Sequence, residues 1–501
     1  MELMFSNHML SNFSIPAYGK LKNYFLKLIM FIVLCSAAAF PQQSPIQLKE
    51  KIDSVFTDKF FESTLMGIDV YDLTTKEELY KKNEKLLFRP ASNLKILTTS
   101  AGLYFLGPDY QFKTSLYYTG KIINGTLYGD LFVAGGCDPD FTTGDIDSLA
   151  GAVKAAGINQ ITGDLFGDVS MMDSLFWGNG WMWDDDPSTD APYLTALDIN
   201  ANTVGVIVKP SKPGDNANIS LIPPSDYFQI RNLTVTVPAD SPNTFSLDRD
   251  WLHRKNTLII KGNVSEQTVP DSLQDTLRVN VYDPAKYFLT LLKENLESKN
   301  IGVGGRIYFC KIPSYAIYLY SFSRPFKNVI TNLNKVSYNL GAEMTLYSLA
   351  FKFFGAPATA SNGVKMVDSL IALAGMNPSD YRIVDGSGVS HYNLISSRLI
   401  LSVLKFMYYP KPELFKILYD SFPIAGVDGT LKNRMTDTPA QNNVHAKTGT
   451  LSGVCSLSGF VNAKNGHLIA FSMLVQNYVG RSKYGREFQD KICNILAGYG
   501  N

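Results

Sequence analysis

The period of the apolar positions changes several times along the chain, and those changes divide it. Between residues 44 and 65, Ile46, Leu48, Ile52, Val55 and Phe56 recur at helical spacing and predict a helix. Met66-Gly-Ile-Asp-Val-Tyr-Asp72 then alternates as a strand, Thr74-Thr-Lys-Glu77 turns, and Glu78-Leu-Tyr80 begins a return strand. Pro90 precedes a helical run from Ser92 to Leu106, which Gly107-Pro108 ends. From about 111 to 315 short strands alternate with Gly, Pro, Asn and Asp turns, and helices are expected only near Asp145–Ala156 and Pro284–Lys299. Residues 204–275 read as all-β. After about 320, long helices return at Val329–Phe354, Asn362–Ala374 and Ser397–Tyr409. His445–Val461 is strand-forming, Lys464-Asn-Gly466 supplies a hairpin turn, and Leu468–Val475 has the unbroken apolar character of a buried strand. A closing helix covers Arg486–Leu496. Helices and strands at both ends therefore bracket a β-rich middle, as in one α/β domain interrupted by a large insert.

The first forty residues stand apart. Lys20, Lys22 and Lys27 precede an apolar run from Leu28 to Ala39, too short to span a bilayer and followed by the small-residue pattern Ala37-Ala-Ala39. Residues 1–39 are read as a signal peptide, so the expected location is the periplasm, with no transmembrane anchor after cleavage.

Composition narrows the function. The chain has 501 residues, 45% hydrophobic and 18% charged, which is globular rather than disordered. Its 46 basic and 45 acidic residues leave a net charge of +1, so no strong field draws it to nucleic acid. Five scattered cysteines and five histidines, with no CxxC and no HExxH, argue against a zinc site; no metal or organic cofactor is expected.

Three short motifs carry chemistry, in the order Ser92-Asn-Leu-Lys95, Ser337-Tyr-Asn339 and Lys447-Thr-Gly449. A serine hydroxyl is a weak nucleophile until a base removes its proton, and a lysine serves as that base when burial lowers its pKa. Ser-x-x-Lys at a helix start supplies both groups one turn apart, with the helix N-terminus and backbone N–H groups available to a developing oxyanion. Ser337 can relay a proton to a leaving amine, and the Asn339 amide can hold a substrate carbonyl. Lys-Thr-Gly on a strand brings a cation, a hydroxyl and a site of close backbone approach to one edge. Each motif alone is weak: Ser402-Val-Leu-Lys405 also matches the first, but it lies inside an apolar helix. The conjunction is far stronger than its parts.

That set resembles the signature of penicillin-binding proteins and serine β-lactamases. Over residues 45–500 the chain resembles the class C low-molecular-mass penicillin-binding proteins, the D-alanyl-D-alanine carboxypeptidase/endopeptidase family. The likeness is carried further by Gly135-Gly-Cys-Asp-Pro139, Gly163-Asp-Leu-Phe-Gly-Asp168, Asp385-Gly-Ser-Gly-Val-Ser390 and Gly426-Val-Asp-Gly-Thr-Leu431. The resemblance implies an α/β transpeptidase-type domain, an antiparallel sheet with helices, from residues 40–110 and 316–501. It implies an inserted β-rich domain from 111–203 and 276–315, and a nested all-β domain at 204–275. It implies Ser92 as nucleophile, Lys95 as base, and Ser337 with Lys447 as proton donors. Asn339, Thr448, Gly449 and Thr450 would bind substrate, and Asp168 would face the free amine of a stem peptide. The implied substrates are peptidoglycan stem peptides and crosslinks, with β-lactams as inhibitors. Cys137 and His391 depart from the family, which commonly has Gly and Arg there. Two other readings stand beside this one: a β-lactamase or esterase on the same site, and a non-catalytic peptidoglycan-binding scaffold.

Overall fold

The structure is a computed structural model that describes residues 45–268 and 276–500. The expected signal peptide, and residues 269–275 of the expected all-β segment, lie outside the described residues.

Both ends of the chain meet in one five-stranded antiparallel sheet. Its order is His445–Leu451, Val454–Asn462, Leu468–Gln476, Leu65–Asp72, Glu77–Lys82. The first two strands along the chain thus extend the C-terminal three, Leu65 pairing with Gln476. The sheet is covered on both faces, which explains the unbroken apolar reading of Leu468–Val475. Ala470 and Leu474 face a core shared with helices Lys95–Ala101 and Ser397–Tyr408, whereas Phe471 and Met473 face one shared with Pro45–Val55 and Lys483–Ala497.

Several elements differ from the expectation. The helix expected over 44–65 stops at Val55, and Lys59–Glu62 forms a separate tight turn whose Phe60 N–H donates to Asp58. The run from Ser92 to Leu106 is an irregular helix: a 3₁₀ turn at Ala91–Leu94, an α segment Lys95–Ala101 and a widened turn at Gly102–Leu106. The expected helix Val329–Phe354 is two, Phe326–Lys335 and Asn339–Phe354, with Ser337 between them at a φ of 62°. The helix Pro412–Ser421 and the strand Ser246–Arg249 escaped the sequence reading.

Among the described residues, the middle of the chain carries a five-stranded and a four-stranded sheet and two of three strands. The helices Thr143–Ala155 and Pro284–Ser298 share their apolar core. One edge of the five-stranded sheet is Ile317–Pro325, paired with Gln111–Tyr118, so residues expected to open the outer domain at 316 form a strand of the insert's sheet. The β-rich middle touches the Ser337–Asn339 segment, where chemistry was expected. The Tyr338 hydroxyl donates to the Pro139 carbonyl at 2.7 Å, and the Asn339 amide donates to the Asp190 carbonyl at 2.6 Å. No helix among the described residues is long and apolar enough to cross a membrane.

Candidate active site

Ser92 sits in a turn held from three directions. Ala91, at a φ of 49°, turns the chain sharply after Pro90. Behind it, the Ser456 hydroxyl donates to the Pro90 carbonyl at 2.7 Å, and the Asn93 amide donates to the Lys447 carbonyl at 2.9 Å. Gly388, at a φ of 84°, lies so close to the Ala91 carbonyl that a side chain there would collide with it. The Ser92 hydroxyl is left free of capping duty, since no side chain caps this turn.

Lys95 lies one turn on and is fully buried. Its Nζ is 2.8 Å from Ser92 Oγ, 2.6 Å from Asn339 Oδ1 and 2.8 Å from the Ser387 carbonyl. Burial pushes its pKa down to about 7, against the opposing pull of Asp385, Glu343 and Asp190. A neutral amine has two N–H groups and one lone pair. The two carbonyl oxygens can only accept, so they take the two N–H groups, and the lone pair is left for the Ser92 hydroxyl proton.

Lys447, also fully buried, lies within 2.8 Å of both Ser337 Oγ and the Thr448 carbonyl. Burial, and next the Lys95 charge, hold its pKa well below the usual lysine range. The break between the two helices, with Ser337 in the left-handed region, is what turns this hydroxyl toward Lys447.

The Lys-Thr-Gly strand closes the other side. A side chain at Gly449 would press on the Ser456 hydroxyl and come within 2.9 Å of the Pro90 carbonyl and the Ser92 N–H, so only glycine lets the strand lie against the serine turn. Thr448 donates to the Thr430 hydroxyl at 2.7 Å, and Arg486 donates to Thr450 Oγ1 at 3.0 Å. Ser92, Ser337, Asn339, Thr448, Gly449 and Thr450 line one cavity of about 500 Å³.

Asp168 does not line that cavity. It ends the strand Leu165–Asp168, and its two carboxylate oxygens accept the backbone N–H groups of Ser170 and Ile312 at 2.9 and 2.8 Å. The carboxylates that do line it are Asp185 and Asp190, from the β-rich middle of the chain. Cys137 stands at a φ of 58°, a conformation glycine adopts freely. His391 contacts Arg89 at 3.2 Å. The four cysteines among the described residues are free.

Sequence reasoning assigned no role to the support behind Lys95. The buried Glu343 carboxylate accepts the Gly386 and Ser387 N–H groups, and Asp385 accepts from Gly388, Ser390, Asn393 and the Trp181 indole at 2.7–3.1 Å. Together they fix the turn whose Ser387 carbonyl meets Lys95. Two signals pointed there: a lone acid in the apolar helix run after Asn339, and the turn-forming string Asp385-Gly-Ser-Gly388.

The sequence pattern of the D-Ala-D-Ala carboxypeptidase 3 (S13) family matches residues 48–499. The chain belongs to that family. It is a serine peptidase, a hydrolase. It is 30% identical over 469 residues to a D-alanyl-D-alanine carboxypeptidase of Actinomadura sp. strain R39, covering 90% of this chain and 85% of that one. It is 30% identical over 430 residues to D-alanyl-D-alanine carboxypeptidase DacB of Haemophilus influenzae, covering 85% and 88%. Among solved structures it is similar to penicillin binding protein 4 (dacB) from Haemophilus influenzae, with a TM-score of 0.77 at 27% identity over 89% of this chain and 99% of that one. The same relative has been solved complexed with a β-lactam; that structure matches with a TM-score of 0.72 at 26% identity, over 90% and 100%. The α/β penicillin-binding-protein fold expected of this S13 chain is the one it has.

Proposed function

We propose that the chain is an exported D-Ala-D-Ala carboxypeptidase and endopeptidase acting on peptidoglycan stem peptides in the periplasm through an acyl-enzyme. Lys95 takes the Ser92 proton, and Ser92 Oγ attacks the carbonyl of the penultimate D-Ala. The backbone N–H groups of Ser92 and Thr450 stabilise the oxyanion. As the C–N bond breaks, the Ser337 hydroxyl gives its proton to the leaving amine, and the proton that Lys95 took from Ser92 replaces it by way of Lys447, which leaves both amines neutral again. Asn339 keeps one amide N–H for the substrate, the other being held by the Asp190 carbonyl. Thr448 and Thr450 receive the terminal carboxylate, with the Arg486 guanidinium beside them. Water then releases the acyl group, and a β-lactam acylates the same serine. Cleavage of the expected signal peptide at residues 1–39 accounts for the location.

The observation that carries this reading is the buried Lys95 amine, 2.8 Å from Ser92 Oγ with its remaining partners both carbonyls. Intact-protein mass spectrometry of residues 40–501 with penicillin tests it. A single adduct on the wild type that Ser92→Ala lacks supports the acyl-enzyme. Folded wild type without an adduct would favour a peptidoglycan-binding scaffold, and rapid turnover of the β-lactam would favour a β-lactamase.

A further inference from the structure

The Ser337–Asn339 segment has two sides. One faces the cavity that holds Ser92. On the other a second cavity of about 650 Å³ opens, and Asp190, Val336, Ser337 and Asn339 belong to the walls of both. Val336 is 58% exposed and forms a low rim between them. Release of a single D-alanine leaves this second space unused, because the first cavity already contains Ser92 and the Thr448–Thr450 shelf for the carboxylate.

Much of the second cavity's lining is polar and charged. Its residues include Asn200, Thr203, Arg278 and Asn332, with Ile222-Pro223 as an apolar shoulder. Asp140 is engaged, since its carboxylate accepts from the Asn332 amide at 2.7 Å. Among the described residues, exposed Arg278 has one long side-chain hydrogen bond, 3.5 Å to Thr203 Oγ1, and no ion pair with an acid. A guanidinium that no described acid pairs, in the wall of the same cavity as Ser337, suits an anionic group on the departing half of the substrate.

We propose that this second cavity is the subsite for the leaving strand of a crosslinked peptide, with Arg278 holding a free carboxylate of that strand. The strand crosses Val336 as its amine takes the Ser337 proton: the amide C–N bond breaks, the Ser92 Oγ–C bond forms, and the released strand departs as an amine. The proposal rests on the acyl-enzyme reading above and adds the substrate class that this half of the site accepts.

The test uses residues 40–501 as wild type, Arg278→Glu and Arg278→Lys, with three readouts: acylation by penicillin, D-Ala release from a pentapeptide monomer, and cleavage of a crosslinked dimer. Charge reversal should lower kcat/KM on the dimer by about tenfold or more, mainly through KM. It should leave acylation and D-Ala release within about twofold, and Arg278→Lys should recover part of the dimer activity. Unchanged dimer cleavage in Arg278→Glu overturns the proposal, as does an equal loss on monomer and dimer. Wild type that releases D-Ala but leaves the dimer intact overturns it while sparing the acyl-enzyme. Wild type that penicillin fails to acylate brings down both.

Discussion

Two regions of the molecule bury cations, and they treat them differently. In the β-rich middle, Arg249 is 1% exposed and fully paired. Its guanidinium meets the Asp186 carboxylate, donates to Asn280 Oδ1 at 3.0 Å and to the Lys255 carbonyl at 3.0 Å, while the Tyr193 hydroxyl donates to the other Asp186 oxygen at 2.8 Å. At the serine turn, Lys95 and Lys447 are equally buried, but no carboxylate touches either amine. A guanidinium keeps its charge under any burial, so it has to be matched by an anion. An amine sheds its proton instead, and two amines that discourage each other's charge shed it more readily. Pairing makes a buried cation structural; leaving it among neutral acceptors makes it a base.

The contrast can be broken most sharply at Lys95. Lys95→Met should slow acylation by penicillin about 10³–10⁴-fold, followed by intact mass against time. It should cost only about 1–3 kcal/mol in urea unfolding, for the carbonyls of Asn339 and Ser387 left without a donor. Arg249→Met inverts the pattern. It strands Asp186 and should cost about 3–5 kcal/mol in unfolding, while the folded fraction is acylated at a rate near wild type. Ser337→Gly sharpens the comparison on the Lys447 side. Glycine accepts the left-handed backbone without strain, so the fold persists, and turnover of a pentapeptide should fall about 10²-fold with loss of the hydroxyl.

The smallest effect is graded by pH. Acylation needs neutral Lys95, whose pKa is lowered to about 7 from an ordinary value of 10.5. The acylation rate should rise about tenfold per pH unit below 7 and level off above it. An acid limb that stays flat from pH 5 to 7 would contradict the neutral amine. The sign for stability is the same: between about 7 and 10.5 the unfolded chain holds a proton that folded Lys95 lacks, so its contribution to stability rises with pH in that window.

What could be read from the sequence was local. The spacing of Ser92 and Lys95, the motif Ser337-Tyr-Asn339 and the strand glycine at Gly449 are properties of a few adjacent residues, and in the structure Ser92, Ser337, Asn339 and Gly449 line one cavity. The bracketing of a β-rich middle by α/β ends was equally visible, because hydrophobic period is local. What escaped depends on distance in the chain. The Ser387 carbonyl reaches Lys95 from 292 residues away, and nothing near residue 95 announces it. Asp168 was implied by the resemblance alone; in the structure it lies outside that cavity, and its two carboxylate oxygens accept the backbone N–H groups of Ser170 and Ile312. The helix Pro412–Ser421 is short and was not predicted; it opens on Pro412, and proline is at home in a first turn.

The order of the five-stranded sheet has a consequence in time. Leu65–Asp72 pairs with Leu468–Gln476, and the serine turn is pinned by Asn93 to Lys447, a contact spanning 354 residues. A chain that emerges from its N-terminus exposes Ser92 early, but the strand that poises it arrives almost last. Such long loops close slowly. The middle of the chain, whose sheets draw only on residues 111–325, has every partner it needs before then. The middle can therefore pair before the outer sheet closes, and the nucleophile stays unarmed until nearly the whole polypeptide is available. The topology acts as a safety catch on a wall-cutting enzyme.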